Sequence, residues 1–156
     1  MTGQVEKTAA DPSARSAARL AAVQAIYQNA VNPDLPIAEL VEEFVGHRLG
    51  KIVDDVPMAK ADAKFFAELV SGVDGKMDEL DGLITEALSE KWSHDRLEQI
   101  VKAILRAGCY ELTARRDVPT AVVINEYLDI AHAFLEAKEV GFINGVLDHI
   151  SRKVRS

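Results

Sequence analysis

Two arginines carry the first chemical signal in this chain. Arg15 and Arg19 stand four residues apart in the run ARSAARLAAVQAIYQ, residues 14–28, so on a helix they share one face. Like charges at that spacing repel, and cations sit poorly at the positive N-terminal end of a helix. A phosphate placed against them relieves both effects, which makes the pair a candidate contact for a nucleic-acid backbone. The alternative is two solvated arginines, one paired with Asp11, and spacing by itself favours that alternative.

Other reactive side chains do not assemble into a catalytic pattern. His47, His94, His132 and His149 show no HExxH-type spacing and Cys109 has no cysteine partner, so the sequence offers no metal site of the zinc kind. Cys109, close to Ile104, Leu105 and Leu112, reads as a small core residue rather than a reactive thiol. The loop acids Asp54 and Asp55 lack the ordered ligand spacing of a cation loop. No G-x-S-x-G or Walker-type loop is present, and SGVDG (residues 71–75) lies within helical pattern, where a helix break explains it better than a phosphate cradle. No catalytic residue and no cofactor are expected.

The elements that must hold these residues are helices. Leu20, Val23, Tyr27 and Ala30 form an inward stripe on the first, which Asp11 or Ser13 caps. Asn32-Pro33-Asp34 and Pro36 end it. A second helix from about Ile37 to Leu49 turns Ile37, Leu40, Val41, Phe44 and Val45 inward and Glu39, Glu42 and Glu43 outward. Residues 50–60 read as a loop. From Phe66 to Leu88 the apolar period is the cleanest in the chain, with a break expected near SGVDG. Trp92 is read as a cover over a junction between two halves rather than as a ligand platform. Ser93 caps a helix running from about His94 to Ala114, where Gly108 admits a neighbour. Pro119 opens the next helix, with Val123, Tyr127, Ile130, Ala131 and Phe134 inward. A shorter last helix carries Phe142, Ile143, Val146, Leu147 and Ile150, and Gly141 and Gly145 leave one side bare for close approach by another surface. Arg152, Lys153 and Arg155 form a basic tail. No alternating strand pattern competes. The fold class is all-α: a single helical domain of six or seven helices over residues 13–156, after a flexible leader at 1–12, with packed halves at about 13–91 and 92–156.

Composition bounds the partners. The 156 residues are 48% hydrophobic, enough for one domain with a core. No run approaches the length of a membrane span and the N-terminus has no signal-like apolar region, so a cytoplasmic protein without membrane attachment is expected. The net charge of −7 argues against a general nucleic-acid coat. Its distribution matters more: residues 1–30 balance to +1, residues 31–90 to −9 and residues 91–156 to +1. Both ends can therefore approach phosphate locally.

Three blocks, in order, carry a family resemblance. VPTAVVINEYLDIAHAF (118–134) with GFINGVLDHI (141–150) resembles the C-terminal signature of the NusB family of bacterial transcription antitermination factors. The opening helix (14–28) and ILRAGCYEL (104–112) are similar to that family's first and middle helices. The resemblance implies an all-α factor that binds boxA-type single-stranded RNA of ribosomal RNA leader transcripts together with ribosomal protein NusE, making RNA polymerase resistant to termination. It implies phosphate contacts for Arg15 and Arg19, a protein-partner surface near Tyr27, and a base-stacking role for Phe142, for which plain core packing is the equal alternative. Asn125 and Asn144 match signature positions, which buried amides tying helices together explain at least as well as base readout. Ser16 and Ala17 stand where further arginines are usual, and Gly141 where a lysine is frequent, so RNA affinity without the partner is expected to be low and salt-dependent. A helical protein-interaction adaptor with little RNA affinity is the alternative. An RNA-modifying role is disfavoured, since no catalytic domain follows. Monomer and homodimer both remain open.

Overall fold

The computed structural model describes residues 12–48, 60–89 and 92–155. Among them are seven α-helices and no strand: α1 Pro12–Val31, α2 Ile37–Glu43, α3 Lys60–Gly75, α4 Met77–Ala87, α5 Gln99–Ala114, α6 Thr120–Phe134 and α7 Ala137–Val154. A π-helical turn, Phe44–Arg48, continues α2, and a 3₁₀ turn, His94–Arg96, precedes α5. The loop acids Asp54 and Asp55, the cap candidate Asp11 and residues 1–11 of the expected leader (1–12) lie outside the described residues, while Pro12 already belongs to α1. No described helix is long and apolar enough to cross a membrane.

The chain forms two compact units, Met1–Ser71 and Gly72–Ser156. In the first, α1 buries a face built mainly of alanine: Ala14, Ala18, Ala21, Ala22 and Ala25, with Val23 and Ile26. The expected stripe is corrected here, because Tyr27 is 40% exposed and Leu20 and Ala30 are only half-buried. Alanine reads as neutral in a hydrophobic pattern, and the larger residues drew the stripe too far round. Leu40, Phe44, Phe66, Leu69 and Val70 complete this core, with the Phe44 and Phe66 rings stacked 5.5 Å apart. Val45, expected inward, is exposed.

In the second unit α5 is central, packing against α4, α6 and α7. Ten of its residues are buried, from Val101 to Leu112. Gly108 does admit a neighbour: a Cβ there would meet Leu147 Cδ2 of α7 at 3.0 Å and Tyr127 of α6 at 3.5 Å. The Tyr127 hydroxyl donates to the buried Glu111 carboxylate at 2.8 Å, which satisfies two polar groups inside the core. Burial pushes the Cys109 thiol up to about 12, aided by Glu79 and Asp81, so it is a core side chain and not a nucleophile.

The break expected at SGVDG falls between Gly75 and Met77. Ser93 does not cap the long helix as expected. It precedes the 3₁₀ turn without a side-chain capping bond, Leu97 is extended and buried, and Glu98 occupies the N-cap of α5. Burying Leu97 re-aims the chain before α5 can start. The last helix, expected to be the shorter, has 18 residues against 15 in α6. A capping box between Glu136 and Glu139 starts it, satisfying amides that a helix start leaves open.

Candidate nucleic-acid interface

The Arg15 and Arg19 guanidinium carbons lie 5.1 and 5.2 Å from the centroid of one ring, Phe65 of α3. The four-residue spacing therefore brings both cations to one face of α1. The negative face of the ring attracts each of them. Their exposure differs. Arg15 is half-buried, whereas Arg19 keeps only 3% of its surface exposed. Arg19 is not the freely solvated arginine of the alternative reading. Phe65 was absent from the sequence reading; an aromatic 46 residues away in the chain has no local signal linking it to the pair.

Tyr27 lies three turns further along α1 and presents its ring outward, as a contact residue must. Phe142 belongs to α7 in the second unit and is half-buried. Its ring packs on Trp92, centroids 5.3 Å apart and tilted by 46°. The two line an open cavity of about 280 Å³ together with Arg96, Leu97, Glu98, Val101, Lys138 and Glu139. Phe142 is thus neither plain core nor fully displayed: one ring face packs while the cavity remains beside it. Trp92 is 46% exposed and acts as a platform for Phe142. Lys138 precedes Phe142 by four residues, a spacing that already places both on one face of α7 and was legible in the sequence.

Asn125 and Asn144 are both exposed, which corrects the expectation of buried amides. The surface around the second leaves Gly141 and Gly145 open too, with nothing within 4 Å of a Cβ at either position, so no part of the described chain uses the bare side. Phe134, expected inward, is 46% exposed at the end of α6. The basic tail is largely engaged: Arg152 pairs with Asp148, Lys153 with Glu86, and Arg155 donates to backbone carbonyls. Among the described residues no group of three or more His, Cys, Asp or Glu side chains could hold a metal ion.

Comparison with known proteins agrees with this architecture. The profile of the NusB family matches residues 16–152. The transcription antitermination protein NusB of Sphingopyxis alaskensis is 51% identical over 141 residues, covering 90% of this chain and 94% of the relative. Among solved structures, T. maritima NusB superposes with a TM-score of 0.74 at 29% identity, covering 89% of this chain and 91% of that one. A structure of the antitermination factors NusB and NusE in complex with dsRNA shares the fold, with a TM-score of 0.74 at 24% identity over 91% of this chain and 98% of that one. The chain belongs to the NusB family.

Proposed function

We propose that this chain works in transcription antitermination, binding boxA-type single-stranded RNA of ribosomal RNA leader transcripts together with ribosomal protein NusE, so that RNA polymerase becomes resistant to termination. The curated relatives are named for antitermination, and a protein of the same fold has been solved with NusE and RNA. The observation that carries the reading to residues is the Arg15–Arg19 pair drawn to one face of α1 over Phe65. Arg15 is the phosphate contact, and Arg19, behind it, adds its charge to the same spot. Phe142 stacks on a base, and Tyr27 belongs to the surface that meets NusE. The role is binding rather than catalysis, in the cytoplasm where transcripts are made.

The burial of Arg19 favours a second reading, an adaptor that meets NusE but holds little RNA. Titrating fluorescently labelled boxA RNA with the full chain, with and without NusE, separates the two. The first reading expects binding that appears with NusE and weakens as salt rises, by a slope of about −0.7 per neutralised phosphate. Binding that stays undetectable with NusE present leaves only the adaptor.

A further inference from the structure

We propose that Asp81 is a positioning residue for RNA binding: through His94 it fixes the connection that carries Trp92, and so sets the attitude of the Phe142 ring without touching the strand. This rests on the RNA-binding reading and adds to it the group that governs how the ring is presented.

The chain between α4 and α5 folds back on α4. Asp81 lies in the first half of that helix, yet His94, beyond its end, returns to it. The His94 Nε2 atom lies 3.1 Å from Asp81 Oδ1. Arg106 reaches the same carboxylate from α5, with Nε 2.8 Å from Oδ1 and Nη2 2.9 Å from Oδ2. One carboxylate thus joins α4, the 3₁₀ turn and α5. A two-bond arginine–carboxylate pair fixes the plane of the acid as well as its place, so Oδ1 meets His94 from a set direction. Arg106 alone already engages both oxygens, and the contact with His94 is not needed to satisfy Asp81. What that contact adds is the place of the turn. His94 Nε2 is closed off from solvent, and among the described residues Asp81 is the one polar group it faces. A bare imidazole nitrogen would repel the carboxylate, so Nε2 carries the proton. Removing Asp81's charge leaves that buried donor without a partner, which favours release of the turn.

The other bonds of the connection are local. The Trp92 amide donates to Ser89 at 3.0 Å, the Arg96 amide to Ser93 at 3.0 Å and the Leu97 amide to His94 at 3.2 Å. They shape the turn but do not tie it to a helix; buried Leu97 and the Asp81 contact do that. Trp92, two residues before His94, is 46% exposed, and its ring leans on Phe142 at 5.3 Å. A displaced turn carries the indole with it and leaves the Phe142 ring without its support. A ring held in one attitude before binding loses less freedom when a base stacks on it. The clasp at Asp81 therefore acts on affinity from a distance, through the turn and the two-ring corner.

Trp92 is the single tryptophan of the chain, so its ring reports on the turn. The test labels the full chain with 5-fluorotryptophan and records its one ¹⁹F resonance without RNA, for the parent, Asp81→Asn, His94→Ala and His94→Gln, at a temperature where melting curves show each folded. Labelled boxA RNA is titrated with NusE present, and NusE is titrated alone. The proposal expects Asp81→Asn and His94→Ala to shift or broaden the resonance and to weaken RNA binding about three- to tenfold, part of what one stacked base contributes. NusE affinity should stay at the parent's value. His94→Gln, whose amide can donate to Asp81 in place of Nε2, should restore both readouts. If Asp81→Asn does not fold, His94→Ala decides. Parent values for resonance and RNA affinity in His94→Ala overturn the proposal and leave the RNA-binding reading standing. So does a change in one readout without the other, which breaks the link between turn and strand. Equal losses for RNA and NusE, or no recovery in His94→Gln, assign the clasp to general stability and also overturn it. A parent that binds no RNA with NusE present overturns both readings.

Discussion

Gly72 shows how much one atom decides. A Cβ there would lie 2.3 Å from Tyr110 Cε1 and 2.7 Å from the Tyr110 hydroxyl, on a ring that is itself buried. Gly72→Ala should therefore destabilise the fold by about 1–3 kcal/mol, the range for overpacking a filled core, read as a lower urea midpoint with unchanged slope. Gly82, inside α4, has nothing within 4 Å of its would-be Cβ. Gly82→Ala should raise stability by about 0.4–1 kcal/mol, because alanine narrows the unfolded ensemble without strain. The same urea titration checks both, and equal effects at the two sites would mean that the Tyr110 contact is not what constrains Gly72. At this scale the sequence was informative about type and silent about partner. Gly108 could be read as an approach site because it interrupts an apolar stripe. The rings beside Gly72 and beneath Arg15 come from 38 and 50 residues away, where no spacing rule operates.

The elements are held at their ends. Arg155, at the C-cap of α7, donates through Nε to the Leu112 carbonyl at 2.9 Å, and through Nη1 and Nη2 to Val118 at 2.7 Å and Arg115 at 2.9 Å. Those carbonyls belong to the end of α5 and the turn before α6, where helix termini leave acceptors open. Arg155→Ala should cost about 2–3 kcal/mol, since hydrogen bonds from a charged donor are among the stronger ones, and denaturant unfolding would show it. Arg155→Lys should recover only part, for one ammonium cannot span that fork of acceptors. The sequence reading had this residue in a short basic tail; only the return of α7 past the end of α5 reveals its role. Periodicity located the described helices, because a long apolar period is set by the helix itself. It failed at the joints. The start of α5 and the facing of Tyr27, Val45 and Phe134 depend on what each end packs against, and that is a tertiary matter.

At the scale of the whole molecule, charge and acid response follow from particular groups. Burial works against the Asp81 carboxylate, but the bonds and charge of Arg106, and then His94, outweigh it and hold its pKa below the ordinary 3.8. The folded state thus binds this proton less readily than the unfolded chain. The stabilisation is present above pH 3.8 and is lost as pH falls through the lowered value. Thermal midpoints recorded from pH 5 to pH 2.5 should fall for the parent and fall less steeply for Asp81→Asn; identical profiles would remove Asp81 from the account. The overall acidity, −7, concentrates in residues 31–90, while residues 1–30 balance to +1. That much was legible from composition, as was the all-helical class. The two-ring corner was not, since Trp92 and Phe142 meet only through the packing of the second unit. The central claim is that Arg15 and its neighbour give the chain a phosphate contact that works with NusE. It is tested most directly by titrating labelled boxA RNA against the NusE complex of the parent and of Arg15→Ala at 50 and 200 mM salt. The account predicts weaker binding for Arg15→Ala and a salt slope shallower by about 0.7, one lost phosphate contact. Equal affinity and equal slope for the two proteins would contradict it.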